Sequence, residues 1–428
     1  MKTRWFIIFI FMALVSIVGL FIPESDTLYN VVDKNINYAD TSWMITATVL
    51  VLLMTPGVSF FYGGMVRAKN IISTMLQSFI AMGIISIIWV IFGFSLAFGD
   101  DIAGIIGNPF TFFMFKDVGY ATHALLSPTI PLVVFALFQM KFAILTPALI
   151  TGSFAERVHF SAYVYFIILF SIFVYAPIAH MLWHPEGIFK QWGVTDFAGG
   201  SVVHTTSGIA ALSGALFLGK RKNRASIPVN IPFVLLGVAL LWIGWFGFNA
   251  GSALGVNQIT AKALITTNTA AASAMLTWIA YDYLRGRKPG AVSASVGAVA
   301  GLVGITPMAG MVSVGVSFFV GFITAIICNI SIYLFSKTVD DALDVFPTHG
   351  VGGIVGSLLT GVFVNGLIAG NTHEFFMHIA ALAITIIYSF LMSMILYYII
   401  NKFIPFRVSV ANEEIGLDVS QHNESYKN

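Results

Sequence analysis

The chain has 428 residues, of which 58% are hydrophobic and only 9% are Asp, Glu, Lys or Arg, with a formal net charge of +2 and a mean hydropathy of +0.90. Soluble domains carry about 25% charged residues, so this composition excludes a soluble enzyme, a disordered chain and a nucleic-acid binder, which would need a basic face. Its single cysteine, Cys328, excludes a disulfide framework and any cysteine-rich metal site. What remains is a polytopic membrane protein.

Residues 1–23 open with Lys2 and Arg4 before the apolar run 5–22, which reads as a secretory signal or an N-terminal anchor. Phe21-Ile22-Pro23 offers no small-x-small cleavage site. A signal is nevertheless favoured, because a first span that starts outside needs the preceding segment exported. An uncleaved anchor would give twelve spans and an inside N-terminus.

A membrane helix needs about 20 apolar residues. Segments of that kind run 41–66, 71–99, 118–155 (through Lys141), 158–185, 197–219, 225–261, 263–281, 345–373 and 375–401, and the stretch 289–336 breaks into two at Thr306-Pro307-Met308-Ala309-Gly310. The sum is eleven spans in a membrane domain over 42–403. With eleven spans, 14 basic residues fall on one side, including Lys220-Arg221-Lys222-Asn223-Arg224, and four on the other: Lys34, Lys116, Lys190 and Lys262. Basic residues concentrate in cytoplasmic loops. The expected topology therefore has the N-terminus outside after signal removal and a cytoplasmic C-terminal tail, 404–428, in the cell (inner) membrane.

Eleven spans divide as a 5+5 inverted repeat plus one long last helix, an arrangement that turns the second half upside down. Span 5 carries Asp196, His204 and Gly208-Ile209; span 10 carries Asp341, His349 and Gly353-Ile354. Both fit Asp-x7-His-x3-Gly-Ile. Eight residues at 1.5 Å place each histidine about 12 Å along its helix, one descending and one ascending, so the two meet near the midplane. Facing imidazoles there favour a shared-hydrogen pair lining a path over a simple helix–helix bridge.

Phe138 and Phe142 on span 3, and Phe248 and Ser252 on span 6, are each four residues apart and share a helix face. Trp183 closes span 4. In a chain with 39 phenylalanines such pairs are more often packing. An aromatic cup with a hydroxyl is also a receptor for a small cation. Asp196, before Gly199-Gly200, reads as a helix N-cap, with direct cation ligation as the alternative. His180, His184 and Glu186 have zinc-like spacing, but Pro185 intervenes and coincidence is the better reading. No catalytic nucleophile–base pattern has a helical context, so no enzyme is expected, and no cofactor.

Longer strings carry a specific likeness. Phe60-Phe61-Tyr62-Gly63-Gly64-Met65-Val66-Arg67-Ala68-Lys69-Asn70, Ala155-Glu156-Arg157-Val158-His159-Phe160, Asp196-Phe197-Ala198-Gly199-Gly200, Trp245-Phe246-Gly247-Phe248-Asn249-Ala250-Gly251-Ser252, Asp344-Val345-Phe346-x-x-His349-Gly350 and Gly416-Leu417-Asp418-Val419-Ser420 occur in order. Across about residues 43–426 the chain resembles the ammonium transporter family (Amt/Mep/Rh), its bacterial Amt branch in particular. The resemblance implies an all-α membrane fold and a homotrimer with one narrow apolar pore per subunit. It implies recruitment of ammonium (or methylammonium as an analogue) by Phe138, Trp183 and Ser252, with Asp196 nearby but not a direct ligand. It further implies a phenyl gate of Phe142 and Phe248, twin histidines His204 and His349, passage of ammonia with a proton, and a PII-type signalling protein as cytoplasmic partner. Readings held beside transport are an ammonium sensor acting through a partner protein and an Rh-type gas channel. Three places depart from the family pattern: Lys141 between the two span-3 phenylalanines, His184-Pro185-Glu186 in the outer loop, and Pro347-Thr348 before His349. Lys141, three residues from Phe138, is expected on a neighbouring face, snorkelling outward or pairing at a subunit contact.

Overall fold

The computed structural model describes residues 2–22, 33–224 and 228–426, with backbone alone at 2–4. In a bilayer every backbone N–H and C=O needs an internal partner, which leaves a helix bundle as the solution for this composition. Eight helices are long and apolar enough to cross a membrane: spans 1 (Tyr38–Met65), 2 (Ala68–Phe98), 3 (Leu132–Phe154), 4 (Phe160–Gln191), 5 (Gly200–Leu218), 6 (Ile231–Gly251), 9 (Val314–Phe335) and 11 (Thr372–Phe403). Three more passages complete eleven among the described residues: span 7 (Gln258–Leu284), span 8 (Ala291–Ile305), and span 10, built from Phe346–Val351 and Gly352–Phe363. Spans 1, 6, 7, 9 and 11 start on side chains that accept helix N–H bonds, from Asn37, Asn230, Asn257, Ser313 and Asn371. These are the residues that satisfy the orphan donors of a first turn.

Span 3 begins at Leu132, not at 118. Pro131 takes an extended backbone (φ −56°, ψ 138°) and Pro128 lies just before it, and a proline disfavours helix at the residue preceding it. Residues 118–131 are loop, preceded by a two-stranded ribbon, Asp101–Ile102 against Ile106–Gly107, and a turn at Phe113–Phe115. Span 6 is shorter than its charge-free stretch because residues 252–257 turn before Asn257 caps the next helix. Span 4 runs past 185 to Gln191 through a break at His184.

Ahead of these spans, Lys2–Gly19 is helical. Trp5 stacks near Phe160 at 6.1 Å, and Gly19 lies beside Met114. The helix thus runs from the predicted inner end of the bundle to the predicted outer end. The end of the expected signal, with Pro23, lies outside the described residues.

Two halves meet where spans 5 and 10 cross. Both begin with a π-helical turn, Gly200–Thr205 and Phe346–Val351, a geometry that widens a helix and recurs at functional sites. Asp196 caps the first: its carboxylate accepts the N–H groups of Gly199, Gly200, Ser201 and Val202 at 2.7–3.0 Å. Asp341 caps the second through the Phe346 N–H at 2.6 Å. A methyl group on Gly208 would collide with the backbone of Gly350, and one on Gly353 with Gly200 and Thr205. Glycine is required there by close approach, not by backbone angle.

At the predicted inner end, Glu156 is fully buried and binds Arg67 at 2.7 Å and Arg221 at 3.0 Å; Arg221 also grips Asp340 at 2.8 Å. Burial would raise the Asp340 carboxyl, but hydrogen bonds and charge from Arg221 outweigh it and hold the group down at about 2. A depressed carboxylate stabilises the fold above its unfolded value, and that contribution fades only as pH falls toward about 2. The tail docks on the same network. Asp418 accepts the N–H groups of Ile72 and Ser73, supplying a cap that span 2 lacks locally. Gln421 bridges Phe160 and Val158, and Arg407 pairs with Glu413 at 2.8 Å. Glu156→Gln would leave two guanidinium groups facing a neutral amide. The expected loss is about 3 kcal/mol, at the low end for a broken buried pair because Arg67 keeps some solvent. Thermal unfolding in detergent checks this: the midpoint should drop by several degrees, and an unchanged midpoint would refute the keystone role of Glu156.

Candidate substrate path

A cavity of about 420 Å³ opens at the predicted outer end, lined by Gln139, Phe142, Trp183, Asp196, Phe197 and Ser252 among others. Trp183 is held in place by its indole N–H, which donates to the Asp196 carbonyl at 2.8 Å. Asp196 therefore does two positioning jobs. Its carboxylate oxygens are consumed by four backbone N–H groups, which matches the N-cap reading and leaves them poorly placed as direct ligands. Ser252 donates its hydroxyl to the Phe248 carbonyl at 2.8 Å, so the oxygen lone pairs remain for an incoming donor.

Below the cavity the rings close the path. Phe142 meets Trp183 edge-on at 5.6 Å and stacks on Phe248 at 4.3 Å and 28°. His204 lies next, 5.8 Å from Phe248 and stacked on Trp245 at 5.2 Å. Its Nδ1 is 3.3 Å from Nδ1 of His349. Two facing Nδ1 atoms can share only one hydrogen, so one ring donates and the other accepts. Both rings are buried, and Nε2 of His204 has no partner among the described residues.

Pro347, two residues before His349, lines a second cavity of about 470 Å³ at the other end, with Arg221, Asp340, Asp341 and Asp344. Burial and then the neighbouring Asp341 push the Asp344 carboxyl up to about 7, and burial raises Asp341 to about 6. The imidazole pair thus stands between an aromatic cavity at the predicted outer end and a carboxyl-rich one at the predicted inner end. Pro347-Thr348 sits at the inner mouth, outside the ring stack.

Phe138 is placed differently from its expected partners. It is fully buried, edge-on to Phe142 at 4.9 Å and against Gly251, and it is absent from the cavity lining. It braces the Phe142 ring by that edge contact. Lys141 also lies off the path. It is half-buried on the outward face with Val134 and Leu137, and its Nζ lies 3.7 Å from the Met140 sulfur. The zinc-like trio is occupied otherwise: His180 binds the Ala97 carbonyl at 3.0 Å and Asp101 at 2.9 Å, while His184 stacks on it at 4.4 Å and accepts the Glu186 N–H.

Three participants escaped the sequence reading. Gln139 lines the cavity, its buried Oε1 without a partner among the described residues; its position three residues before Phe142 was a usable signal. Trp245, three before Phe248, backs His204 and is fixed by Thr306 at 2.9 Å. His378 touches Thr195 in the cavity wall at 3.3 Å, and nothing in its local sequence announces that.

Comparison with known proteins agrees with this architecture. Residues 42–427 match the Ammonium Transporter Family. An ammonium transporter of Aquifex aeolicus is 42% identical over 434 residues, covering 97% of this chain and all of that one. The crystal structure of Saccharomyces cerevisiae Mep2 superposes with a TM-score of 0.82 at 34% identity, over 88% of each chain. A protein described as a sensor Amt superposes at 0.83 with 30% identity, over 90% of this chain and 98% of that one. With its eleven-span fold and a family match over nearly its whole length, the chain belongs to the ammonium transporter family, whose members are channels and transporters and not enzymes.

Proposed function

We propose that this protein conducts ammonium across the cell membrane by recruiting the cation at the aromatic cavity and passing ammonia, with a proton, along the path through the histidine pair. The observation that carries the reading is the unbroken series from Trp183 through the stacked Phe142 and Phe248 to His204 and His349. Ring faces attract a cation, and the Ser252 and Gln139 oxygens accept its hydrogen bonds. Beyond the gate only neutral rings are on offer. Ammonium sheds its charge by losing a proton and continues as ammonia. Each imidazole can accept on one nitrogen and donate from the other, so the proton moves on without a lasting charge in the bilayer. Potassium matches ammonium in size but has no proton to lose. A path of phenyl rings and neutral imidazoles gives it no substitute for its hydration shell.

The basic-residue asymmetry supports an inner-membrane protein with the aromatic cavity outside and the tail in the cytoplasm. The first 23 residues act as signal or anchor, ahead of the membrane domain 42–403 and the tail 404–428. We extend the proposal to a homotrimer, and to a PII-type partner at the cytoplasmic face built by the tail and the Glu156 network. The likeness to a sensor Amt gives a second reading, in which ammonium binding is reported to a partner.

An ammonium jump applied to sealed proteoliposomes on a capacitive sensor should give a current that an equal potassium jump does not. Absence of any ammonium-dependent current or internal pH change would sink the transport reading and leave the sensor. His204→Asp combined with His349→Glu places fixed charge in the path and should admit potassium, lowering the ammonium-to-potassium current ratio at least about tenfold. An unchanged ratio would refute the imidazole filter. Lys141→Ser should leave the half-saturating ammonium concentration within about twofold of wild type, since the lysine lies off the cavity wall; a larger shift would put its charge in the recruitment field.

A further inference from the structure

The wall of the aromatic cavity includes a segment with no helix of its own. Residues 194–196 carry no regular secondary structure, yet Thr195 and Asp196 line the cavity. Backbone outside a helix has to borrow partners for its N–H and C=O groups. Span 11 and the loop before it supply them. The Thr195 N–H donates to Nε2 of His378 at 3.3 Å, and Nδ2 of Asn365 donates to the Gly193 carbonyl at 2.9 Å. The next two residues are fixed from other elements: the Asp196 carbonyl accepts the Trp183 indole N–H, and the Phe197 N–H donates to the Pro307 carbonyl at 3.0 Å. His378 is 4% exposed, and its place is closely built. A methyl group on Gly361 would lie 3.0 Å from the His378 Cβ.

We infer that His378 is a positioning residue of the recruitment site, its Nε2 setting the place of Thr195 and, through it, of the adjoining Asp196 and the Trp183 that Asp196 holds. The inference rests on the recruitment reading proposed above. An imidazole nitrogen that accepts an N–H carries no hydrogen, so the ring is neutral with its hydrogen on Nδ1. The same Nε2 lies 3.3 Å from Oδ1 of Asn365. A hydrogen on Nε2 would turn the ring into a donor to Asn365 and release Thr195. The Asn365 amide does not turn to relieve this, because its nitrogen is engaged by Gly193. It is therefore the acceptor on Nε2, more than the bulk of the ring, that ties the last helix to the cavity wall. His378→Gln would place an amide oxygen at about the reach of Nε2 and an amide nitrogen toward Asn365, meeting both neighbours. His378→Asn is one methylene shorter and falls short of Thr195. The stacked rings Phe142 and Phe248 are carried by spans 3 and 6, so displacing Thr195 weakens capture of the cation more than its passage.

Two readouts on the full-length protein test the assignment: currents in proteoliposomes over a range of ammonium concentrations at fixed external pH, and hydrogen–deuterium exchange of the peptide that holds Thr195. His378→Leu and His378→Asn should each raise the half-saturating ammonium concentration about fivefold, the scale of one lost backbone hydrogen bond, with the maximal current within about twofold of wild type. His378→Gln should stay within about twofold of wild type on both measures. The Thr195 amide should exchange faster in His378→Leu and His378→Asn, and at the wild-type rate in His378→Gln. An unchanged half-saturation in His378→Leu and His378→Asn, or a fall in maximal current alone, would overturn the inference. So would a His378→Gln as impaired as His378→Leu, which would make ring packing the cause. Should His378→Leu not fold, the contrast between His378→Gln and His378→Asn decides. Exchange needs no transport, so a protein without ammonium current that keeps this order of exchange rates would overturn the transport reading and leave the anchoring of Thr195 in place.

Discussion

The crossing of spans 5 and 10 is the constraint on which the rest of the molecule depends. Gly208 against Gly350, and Gly353 against Gly200 and Thr205, bring two helix backbones into contact with no room for a side chain. Only at that separation do Nδ1 of His204 and Nδ1 of His349 reach 3.3 Å. The approach also demands that both helices begin inside the bundle, where their first N–H groups would be unsatisfied. Asp196 and Asp341 answer that demand from equivalent positions in the two halves. Each aspartate is thereby tied to a histidine eight residues away, and the repeat in the sequence is the trace of one solved packing problem used twice.

From this crossing the outer site follows with little freedom. Asp196 holds the π-helical turn with its carboxylate and Trp183 with its carbonyl. The indole then sets the edge contact with Phe142, which in turn stacks on Phe248. A substitution at Asp196 therefore acts on the Phe142–Phe248 stack through position, by way of Trp183. The predicted inner end is governed differently: Glu156, Arg221 and Asp340 form a charged keystone that joins the ends of spans 1, 3, 5 and 9, and Asn70, which binds Glu156, ties it to the tail by accepting the Leu417 N–H. The charge density that the bilayer forbids is concentrated where water meets the bundle.

How much of this was legible in the sequence varies with the range of the interaction. Spans are composition over about 20 residues, so they were readable, as was the Asp-x7-His repeat, which is local in each half. The start of span 3 was not, because a charge-free apolar stretch looks alike as loop or helix, and Pro128 with Pro131 decided it. Face sharing paired Phe138 with Phe142 and Phe248 with Ser252 and suited packing as well as an aromatic cup, and the spacing alone could not tell that Phe138 is fully buried while Gln139 takes the cavity wall. The tail docks across long separations, 261 residues for Gln421 with Phe160 and 345 for Asp418 with Ser73, and no window of sequence holds both partners.

Lys141 shows how a fixed charge is tolerated at the level of the gate. It adjoins Phe142 in the chain, nine residues and about 14 Å along span 3 from Leu132, yet successive residues on a helix point about 100° apart. Phe142 faces the path and Lys141 faces out with Val134 and Leu137. A lysine stem reaches roughly 6 Å along an apolar surface before its ammonium must be solvated. The lysine therefore lies on the outward face of span 3, apart from the ring stack. The scarcity of charge that marks the chain as a membrane protein thus extends to the stack of Phe142, Phe248, His204 and His349, with the nearest carboxylates at Asp196 in one cavity and at Asp341 and Asp344 in the other.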